Sequence, residues 1–311
     1  MKVFVTGATG FIGNHLSKRL VAENHQVICA GRSLSKLKDI SGRAKLLTLD
    51  IKDPVAIKKI LLIEKPDIVF HCAALVDNAS LDKLMLINAE GTRNVMEGCL
   101  DNNIRKVIYL SSISVISANS QKPLTDDLPY GATNRYGKSK IEAEKIALSY
   151  REKGLKVSII RPCMVYGEGE PHLLSLLARL IRWRLLPIVG TGDNKLHLVG
   201  VDNVVDVMML ALKKEEAFEG TYIVADKEVL SVREFFSDIA KMQGVKPPFT
   251  IPEKFIPILE KTPFLGKKIL FFKKDRIYSI ERIEKVLGYT PRVSVYDGLK
   301  KAVISCMVEK I

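Results

Sequence analysis

Residues 6–13, with glycines at positions 7, 10 and 13, constrain the fold of this chain more than any other segment. The apolar run Val3-Phe4-Val5 before them is typical of a buried strand, and apolar residues between positions 11 and 20 recur at helical spacing. Such a strand, turn and helix start form a cradle for a phosphate group, because the helix N-terminus offers unpaired N–H groups and a partial positive charge. Glycines remove Cβ atoms where the backbone approaches a pyrophosphate. The segment therefore predicts a dinucleotide-binding turn with contacts from Gly7, Thr9, Gly10, Phe11, Ile12 and Gly13.

Strand-like and helix-like segments alternate through the first 160 residues. Strands are predicted at 2–6, 26–30, 45–50, 67–72, 105–111 and 156–161. Helices are predicted at 11–22, 53–64, 83–101 and 134–153. This alternation is typical of a parallel sheet with helices on both faces. We therefore expect an α/β fold built on a Rossmann-type doubly wound parallel sheet.

The alternation loosens after Arg161-Pro162, where prolines and glycines interrupt short segments. We expect residues 1–165 to form the nucleotide-binding domain and residues 166–311 to form a smaller C-terminal α/β substrate-binding lobe. The two are expected to be interleaved as one structural unit, because no long linker separates them. Within the lobe, the segment 254–274 is apolar and basic, which is typical of a pocket lining, of helices packed on the core, or of a contact with an anionic membrane.

The formal net charge of +13 indicates either a lysine-rich solvated surface or an anionic partner. Basic proteins attract nucleic acid, anionic membranes or phosphorylated small molecules. The sequence has no nucleic-acid motif, so we expect a small-molecule substrate and no nucleic-acid partner. The first predicted strand begins at residue 2 and leaves no room for a signal peptide, and no apolar stretch is long enough to span a bilayer. Five widely spaced cysteines predict reduced thiols in a cytoplasmic protein and no metal site.

Tyr136 and Lys140 lie four residues apart and therefore share one face of a predicted helix. An ordinary tyrosine, with a pKa of about 10, is a poor acid–base group at neutral pH. A neighbouring ammonium, helped by an oxidised nicotinamide, stabilises the phenolate and lowers that pKa. Ser112 follows the predicted strand at 105–111, and the carboxyl ends of parallel strands face the ligand crevice. We therefore expect Ser112 to hydrogen-bond a substrate oxygen.

With these motifs in this order, the chain resembles the extended short-chain dehydrogenase/reductases, which include the nucleotide-sugar epimerases. The resemblance covers essentially the whole chain and includes N-x-x-G-T at 88–92, R-P-x-x-V-Y-G at 161–167, V-D-N-V at 201–204 and L-G-Y-x-P at 287–291. It implies that Tyr136 exchanges the proton of a secondary alcohol while hydride moves between that carbon and the nicotinamide. Lys140 would bind the nicotinamide ribose, and Ser112 would orient the substrate oxygen.

The same resemblance implies further contacts with the cofactor. Besides Tyr136 and Lys140, these are Asp50, Ile51, Cys72, Ala73, Ala74, Asn88, Pro162 and Val165. His71, which ends a predicted buried strand, is expected to be a structural residue beside the cofactor. Members of this family often pair through two helices of each copy, so the segments 83–101 and 134–153 are expected at a homodimer interface.

Arg32 bears on the choice between the two nicotinamide cofactors. It follows the second predicted strand, where enzymes that prefer NAD usually place Asp or Glu to bind the ribose hydroxyls. A carboxylate there would repel a 2′-phosphate, whereas Arg32, with Lys36 nearby, can pair with it. The sequence therefore favours NADP over NAD.

The sequence Ser112-Ile113-Ser114 argues against a dehydratase, since dehydratases of this family carry Asp-Glu directly after the catalytic hydroxyl. A nucleotide-sugar 4-epimerase or 4-ketoreductase is one interpretation, because residues 65–71 resemble sugar-modifying members and a positive surface suits a diphosphate substrate. The family's pyrophosphate-binding Arg is missing before residue 201, and Lys195 offers only a less directional charge there.

The alternative is an enzyme similar to the 3β-hydroxysteroid dehydrogenases and dihydroflavonol reductases, acting on a hydrophobic ketone or alcohol. Residues 194–205 and the segment 254–274 resemble that group. A third hypothesis, a cofactor-binding regulator without chemistry, predicts loss of the Tyr/Lys pair, and Tyr136 and Lys140 are both present. The sequence leaves the substrate open.

Overall fold

The computed structural model describes residues 1–171, 173–255 and 272–308. Its strands are β1 (Lys2–Thr6), β2 (Gln26–Gly31), β3 (Ala44–Thr48), β4 (Ile68–His71), β5 (Lys106–Leu110), β6 (Lys156–Pro162), β7 (Met164–Tyr166), β8 (Ile188–Val189), β9 (Lys195–Gly200), β10 (Thr221–Val224), β11 (Val229–Ser231) and β12 (Thr250–Ile251). Its α-helices are α1 (Phe11–Ala22), α2 (Pro54–Glu64), α3 (Leu81–Leu84), α4 (Gly91–Asp101), α5 (Arg135–Glu152), α6 (Leu174–Arg182), α7 (Val201–Lys213), α8 (Val232–Met242), α9 (Glu281–Leu287) and α10 (Val295–Val308).

The largest element is a seven-stranded sheet in the order β10-β6-β5-β4-β1-β2-β3. All of its strand pairs are parallel. From β1 the chain runs outward to β2 and β3 and then crosses back to β4 on the other side of β1, so the strand order reverses between β1 and β4. Ligands of such sheets bind outside the carboxyl ends of the strands at this switch point. The predicted α/β fold with a Rossmann-type parallel sheet is confirmed.

The strands and helices predicted before residue 162 are observed, with ends that differ by no more than two residues. The helix predicted at 83–101 is the exception, because it consists of α3, a π-helical turn at Met85–Glu90, and α4. The wide turn contains Asn88, whose side chain bonds residues outside this helix. A π-turn interrupts the regular i to i+4 pattern, which hydrophobic periodicity does not reveal.

Alternate residues of β1 supply two cores on the two faces of the large sheet. Val3 and Val5 pack in one core with residues of α1 and α7. Phe4 packs in the other with residues of α2, α4 and α5. Successive strand residues point to opposite faces, so a strand that is covered on both sides is apolar throughout. This is why Val3-Phe4-Val5 is continuously hydrophobic.

The remaining elements form a smaller unit on a third core. Strands β11, β9 and β7 make a three-stranded sheet, and β8 pairs with β12. Tyr166 packs there with residues of α6, α8 and α10. Strand β10 and helices α7 and α9, although they follow residue 165, belong to the large sheet or to the core on one of its faces. Of the apolar and basic segment 254–274, residues 256–271 lie outside the described residues.

Asp226, only 1% exposed, joins the smaller unit to the large sheet just after β10. Its carboxylate accepts hydrogen bonds from Tyr166 Oη at 2.8 Å, Asn203 Nδ2 at 2.7 Å and the Gly200 backbone N–H at 3.1 Å. The side-chain oxygen of Asn203 accepts from the backbone N–H of Arg292 at 3.1 Å. One buried carboxylate thus connects β7, the start of α7 and the segment before α10. Within the described ranges, no helix is both long and apolar enough to cross a bilayer.

Candidate active site and cofactor crevice

The glycine turn is shaped by close contacts within the protein. Gly7 has a φ of +68°, and a Cβ there would lie 2.6 Å from the Cα of Ala73. A Cβ on Gly13 would lie 2.2 Å from the carbonyl oxygen of Gly7. Backbone packing therefore requires glycine at these two positions. Gly10 is exposed and precedes α1, and no side chain caps this helix N-terminus. Of the three glycines, Gly10 is therefore the one that best fits the prediction of a close approach between the backbone and a pyrophosphate.

A crevice of about 260 Å³ opens at the carboxyl ends of β1, β2 and β4. It is lined by Thr6, Gly7, Thr9, Gly10, Ala30, Gly31, Arg32, Leu49, Asp50, Ile51, Lys52, Cys72, Ala73, Ala74, Leu75 and Ile87. Of the predicted cofactor contacts, those absent from this wall are Phe11, Ile12, Gly13, Asn88, Tyr136, Lys140, Pro162 and Val165. The wall residues that were not predicted from the sequence are Thr6, Ala30, Gly31, Leu49, Lys52, Leu75 and Ile87. Among them, Lys52 is a second cation on the wall and pairs with Asp50 at 3.4 Å.

The residues of this crevice fit a nicotinamide dinucleotide. The uncapped N-terminus of α1 presents backbone N–H groups and the positive end of the helix dipole, which suits a pyrophosphate. Leu49, Ile51 and Ile87 provide apolar walls for a planar ring. Gly31 allows β2 to approach the turn, because a Cβ there would lie 2.8 Å from Thr9 Oγ1.

Ser112 lies just beyond the end of β5, at the start of a short 3₁₀-helix at Ile113–Ile116. Its hydroxyl oxygen accepts a hydrogen bond from the Ser114 backbone N–H at 3.2 Å. Its hydroxyl also donates to Ser114 Oγ at 3.2 Å. These bonds fix the side chain at the carboxyl edge of the sheet, where the sequence predicts it.

Helix α5 begins against the turn that carries Ser112. Asn134 caps the helix by accepting a 2.7 Å hydrogen bond from the Gly137 backbone N–H. A Cβ on Gly137 would lie 2.7 Å from the Ser114 carbonyl oxygen, so helix and turn are in direct contact. Tyr136, half-buried, is thereby brought beside Ser112. Burial raises the pKa of Tyr136 to about 12, and hydrogen bonding by the Ser112 hydroxyl opposes that shift.

Lys140 is only 1% exposed and reaches the end of β5. Its ammonium donates to the Leu110 carbonyl oxygen at 2.8 Å and lies 4.3 Å from the centroid of the Tyr109 ring. Burial lowers the pKa of Lys140 to about 7, while the charge of Glu144 opposes that shift. The expected lowering of the Tyr136 pKa by Lys140 is therefore not produced by the protein residues alone. Burial shifts the pKa of both groups toward their neutral forms.

His71 belongs to a buried chain of hydrogen bonds. Its Nδ1 lies 2.7 Å from Thr6 Oγ1, and its Nε2 lies 3.0 Å from Thr92 Oγ1. Because Thr92 donates its proton to the Asn88 carbonyl oxygen at 2.6 Å, it accepts from Nε2–H of His71. Burial, reinforced by the charge of Lys140, lowers the pKa of His71 to about 3. The imidazole is therefore neutral and links the glycine turn to α4.

Asn88 is 1% exposed, and its side chain bonds other parts of the protein. Its oxygen accepts from the Leu75 backbone N–H at 2.7 Å. Its nitrogen donates to the Leu75 carbonyl oxygen at 3.1 Å and to Ser139 Oγ at 2.9 Å. Asn88 thus holds a wall segment of the crevice against α5. The family resemblance predicts that Asn88 contacts the cofactor. The hydrogen bonds seen for its side chain instead go to Leu75 and Ser139.

Residues 3–225 match the Epimerase family, described as the NAD dependent epimerase/dehydratase family. A 2-alkyl-3-oxoalkanoate reductase of Stenotrophomonas maltophilia (strain K279a) is 29% identical, over 97% of this chain and 98% of its own. The UDP-glucose 4-epimerase of Vibrio cholerae is 28% identical, over 96% and 93%. The crystal structure of UDP-glucuronic acid 4-epimerase from Bacillus cereus in complex with NAD aligns with a TM-score of 0.82 at 22% identity, covering 99% of both chains. The chain belongs to the NAD dependent epimerase/dehydratase family of extended short-chain dehydrogenase/reductases and is an enzyme that uses a nicotinamide cofactor.

Proposed function

We propose that the protein transfers hydride at a secondary alcohol or ketone and that Tyr136 exchanges the proton of the substrate oxygen. The observation that carries this proposal is the packing of the start of α5, which carries Tyr136, on the turn that carries Ser112, at the carboxyl edge of the sheet that holds the cofactor crevice. A phenol and a second hydroxyl side by side suit a carbonyl oxygen that becomes an alcohol.

The protonation state of Tyr136 suits ketone reduction better than alcohol oxidation. With a pKa raised to about 12, Tyr136 is a neutral phenol at pH 7 and holds the proton that ketone reduction consumes. Ser112 would donate a hydrogen bond to the same oxygen as negative charge develops there. Alcohol oxidation requires the phenolate, and positive charge from Lys140 and from an oxidised nicotinamide would lower the Tyr136 pKa for that direction. The bound cofactor supplies or accepts the hydride.

We propose NADP as the preferred cofactor. Arg32 is exposed on the crevice wall directly after β2, and Lys52 lies on the same wall. Arg32 at the end of this strand, with no acid in Gln26–Gly31, supports pairing with a 2′-phosphate, and Lys52, which pairs with Asp50 at 3.4 Å, adds a second cation to the wall. Nucleotide released from purified, unsupplemented protein by denaturation and identified by mass spectrometry tests this preference. Stoichiometric NAD would overturn it, whereas an empty protein that binds NADPH more tightly than NADH would support it.

For the substrate, we propose a nucleotide-sugar 4-epimerase or 4-ketoreductase activity. Full-length similarity to a UDP-glucose 4-epimerase and the net positive charge support this class. UDP-glucose and UDP-galactose, incubated with protein and either cofactor, test it by nuclear magnetic resonance of the sugar anomeric protons. Interconversion of the two UDP-sugars supports an epimerase. Consumption of NADPH when a UDP-4-keto sugar is supplied as the substrate supports a 4-ketoreductase.

A specific feature of β9 favours the second candidate, a reductase or dehydrogenase of a hydrophobic ketone or alcohol. Lys195 is exposed, and Leu196, 1% exposed, packs into the third core. The strand therefore offers no buried cation to a diphosphate. The oxoalkanoate reductase among the relatives supports the same class. Oxidation of NADPH with a 2-alkyl-3-oxoalkanoate, without reaction of UDP-sugars, would select this candidate.

We propose that residues 166–311, apart from β10, α7 and α9, form the substrate side of the site. We also propose a homodimer through the segments 83–101 and 134–153. Glu90, Arg93, Glu142 and Lys145 of these segments line a surface groove. Within one copy Arg93 pairs with Glu90 and Lys145 with Glu142, and an exchange of partners would allow ion pairs between copies. Light scattering of the purified protein tests this, and a monomer at all concentrations would overturn it.

A further inference from the structure

Glu144 is a fully buried carboxylate on the catalytic face of α5. It follows Lys140 by four residues and Tyr136 by eight, so the three side chains share one face of the helix. None of its surface is exposed. Glu144 takes no part in the proton exchange proposed for Tyr136.

Donors from three segments of the chain surround this carboxylate. Arg161 donates from Nε at 3.0 Å and from Nη2 at 2.7 Å, in a two-pronged pair. Tyr130 Oη donates at 3.0 Å, and the Ser111 hydroxyl donates as well. The carboxylate is therefore held as an anion at one fixed position.

The pair of Glu144 and Arg161 is poorly explained by stability alone. Both side chains are at most 5% exposed, and burying two charges removes most of the free energy that their attraction supplies. Apolar residues of similar size often replace such a pair without loss of stability. What this ion pair provides and apolar residues could not is an electrostatic effect on neighbouring charged groups.

Lys140 is the neighbouring group that the carboxylate affects. Tyr109 faces the ammonium from β5, and His71 and Cys72 face it from the end of β4. His71 is neutral, and burial raises the pKa of Cys72 to about 12, so neither supplies a full charge at pH 7. Glu144 supplies the full negative charge that opposes the effect of burial on Lys140.

The same carboxylate also fixes the turn that carries Ser112. The Ser111 hydroxyl is bonded to Glu144, and the Ser111 backbone N–H donates to the Ile160 carbonyl oxygen at 2.7 Å. Arg161 Nη1 donates to the Asp126 carbonyl oxygen at 2.9 Å, which anchors the loop before α5. The end of β5, the end of β6 and α5 are thus joined through one group.

We propose that Glu144 is a positioning residue that favours the charged form of Lys140, one helical turn away on the same buried face of α5, and ties the turn that carries Ser112 to this helix. The assignment concerns the same site as the proposed function and rests on it for its catalytic meaning. Its electrostatic part is measurable in the cofactor-free protein, independently of any reaction.

The test is the titration of Lys140 in cofactor-free protein, followed by the ¹³Cε resonance of labelled lysine and assigned through its loss in Lys140→Arg. In Glu144→Gln, the Lys140 midpoint is expected to fall by about one pH unit or more, because an opposite charge one helical turn away in a buried environment is removed. Glu142→Gln is the matched control, since Glu142 lies on the same helix and bonds Lys145 at 2.8 Å on the surface. An unchanged midpoint in folded Glu144→Gln would overturn the proposal.

Arg161 would remain buried without a partner in Glu144→Gln, so a second variant protects the test against failure to fold. Glu144→Gln combined with Arg161→Gln removes both charges. This double variant is expected to fold and to titrate Lys140 below the parent but above Glu144→Gln. Glu144→Asp, which keeps the carboxylate, is expected to bring the midpoint back toward that of the parent. A double variant that folds with the parental midpoint would limit Glu144 to a structural role.

Turnover separates the two proposals. If hydride transfer occurs and depends on Lys140 being charged, the alkaline fall of kcat moves to lower pH in Glu144→Gln together with the titration. If the protein turns over nothing while the titration still shifts, the proposed function fails and the electrostatic assignment stands. If Tyr136→Phe abolishes turnover but the Lys140 midpoint is unchanged in Glu144→Gln, the proposed function stands and the electrostatic role of Glu144 is wrong.

Discussion

Tyr166 Oη donates a 2.8 Å hydrogen bond to the carboxylate of Asp226, 60 residues further along the chain. The bond joins the three-stranded sheet of the smaller unit to the end of β10 in the large sheet. Because the proposed reaction occurs where these two units face each other, the geometry of the site depends on this junction. Burial raises the pKa of Asp226 to about 6, although its hydrogen bonds favour the anion.

The raised pKa of Asp226 predicts a pH dependence of stability. An aspartate has a pKa of about 3.9 in an unfolded chain, so the folded state binds the proton more tightly. The contribution is then fully present below about pH 4 and is lost as the pH rises through about 6, with a size of about 3 kcal/mol at most. Urea unfolding of the parent and Asp226→Asn between pH 4.5 and 8 measures this. The parent-minus-variant difference in unfolding free energy should change with pH, and a constant difference would contradict the assignment.

The glycine turn predicts an unequal cost for two glycine substitutions. Gly7→Ala combines a left-handed φ of +68° with a Cβ placed 2.6 Å from the backbone of Ala73. Gly154→Ala, with a φ of +94° and nothing within 4 Å of its Cβ, carries the backbone strain alone and is the matched control. We expect Gly154→Ala to lose about 1 kcal/mol of unfolding free energy and Gly7→Ala to lose more, along with dinucleotide binding. Equal losses with intact binding would show that the close contact has no consequence.

Arg32→Ala is expected to reverse the choice of cofactor. Loss of the guanidinium should weaken NADPH binding by about 10- to 100-fold, because a charge-assisted pair with the 2′-phosphate is removed. NADH binding should change by less than about threefold, since NADH lacks that phosphate. Quenching of protein fluorescence by each nucleotide measures the two dissociation constants. A parallel loss for both nucleotides would mean that Arg32 contacts a part that they share.

Ser112→Ala is expected to lower kcat by about 10²-fold, because one hydrogen bond to the developing oxyanion is lost. The affinity for NADPH should be unchanged, since the hydroxyl faces the substrate oxygen. Ser117→Ala is the control from the same turn, and its hydroxyl bonds the Ser114 carbonyl oxygen at 3.0 Å. A decrease of kcat that is equal in both variants would point to distortion of the turn and not to a contact with the substrate.

The fold of the first 160 residues could be predicted because each part depends on local sequence. The glycine spacing requires a tight turn, and the four-residue spacing of Tyr136 and Lys140 places them on one helix face. The position of Ser112 follows from strand order alone, since carboxyl ends of parallel strands share an edge. Local periodicity and topology were sufficient for these residues.

The buried polar network could not be predicted, because its partners are distant in sequence. Asn88 bonds Ser139, 51 residues away, and Asp226 bonds Asn203. Neither spacing nor periodicity specifies such pairs, which depend on how helices dock on the sheet. Glu144 did carry a signal, since it continues the buried face that begins at Tyr136 and Lys140. A carboxylate on a buried helix face requires partners.

The proton-exchange role of Tyr136 is tested most directly by Tyr136→Phe, assayed with the substrate that the parent converts. The variant removes one hydroxyl and keeps the ring that packs beside Ser112. We expect kcat to fall by about 10²-fold or more while the dissociation constant for NADPH stays within about threefold of the parent. Turnover equal to that of the parent would contradict the role of Tyr136 and, with it, the proposed mechanism.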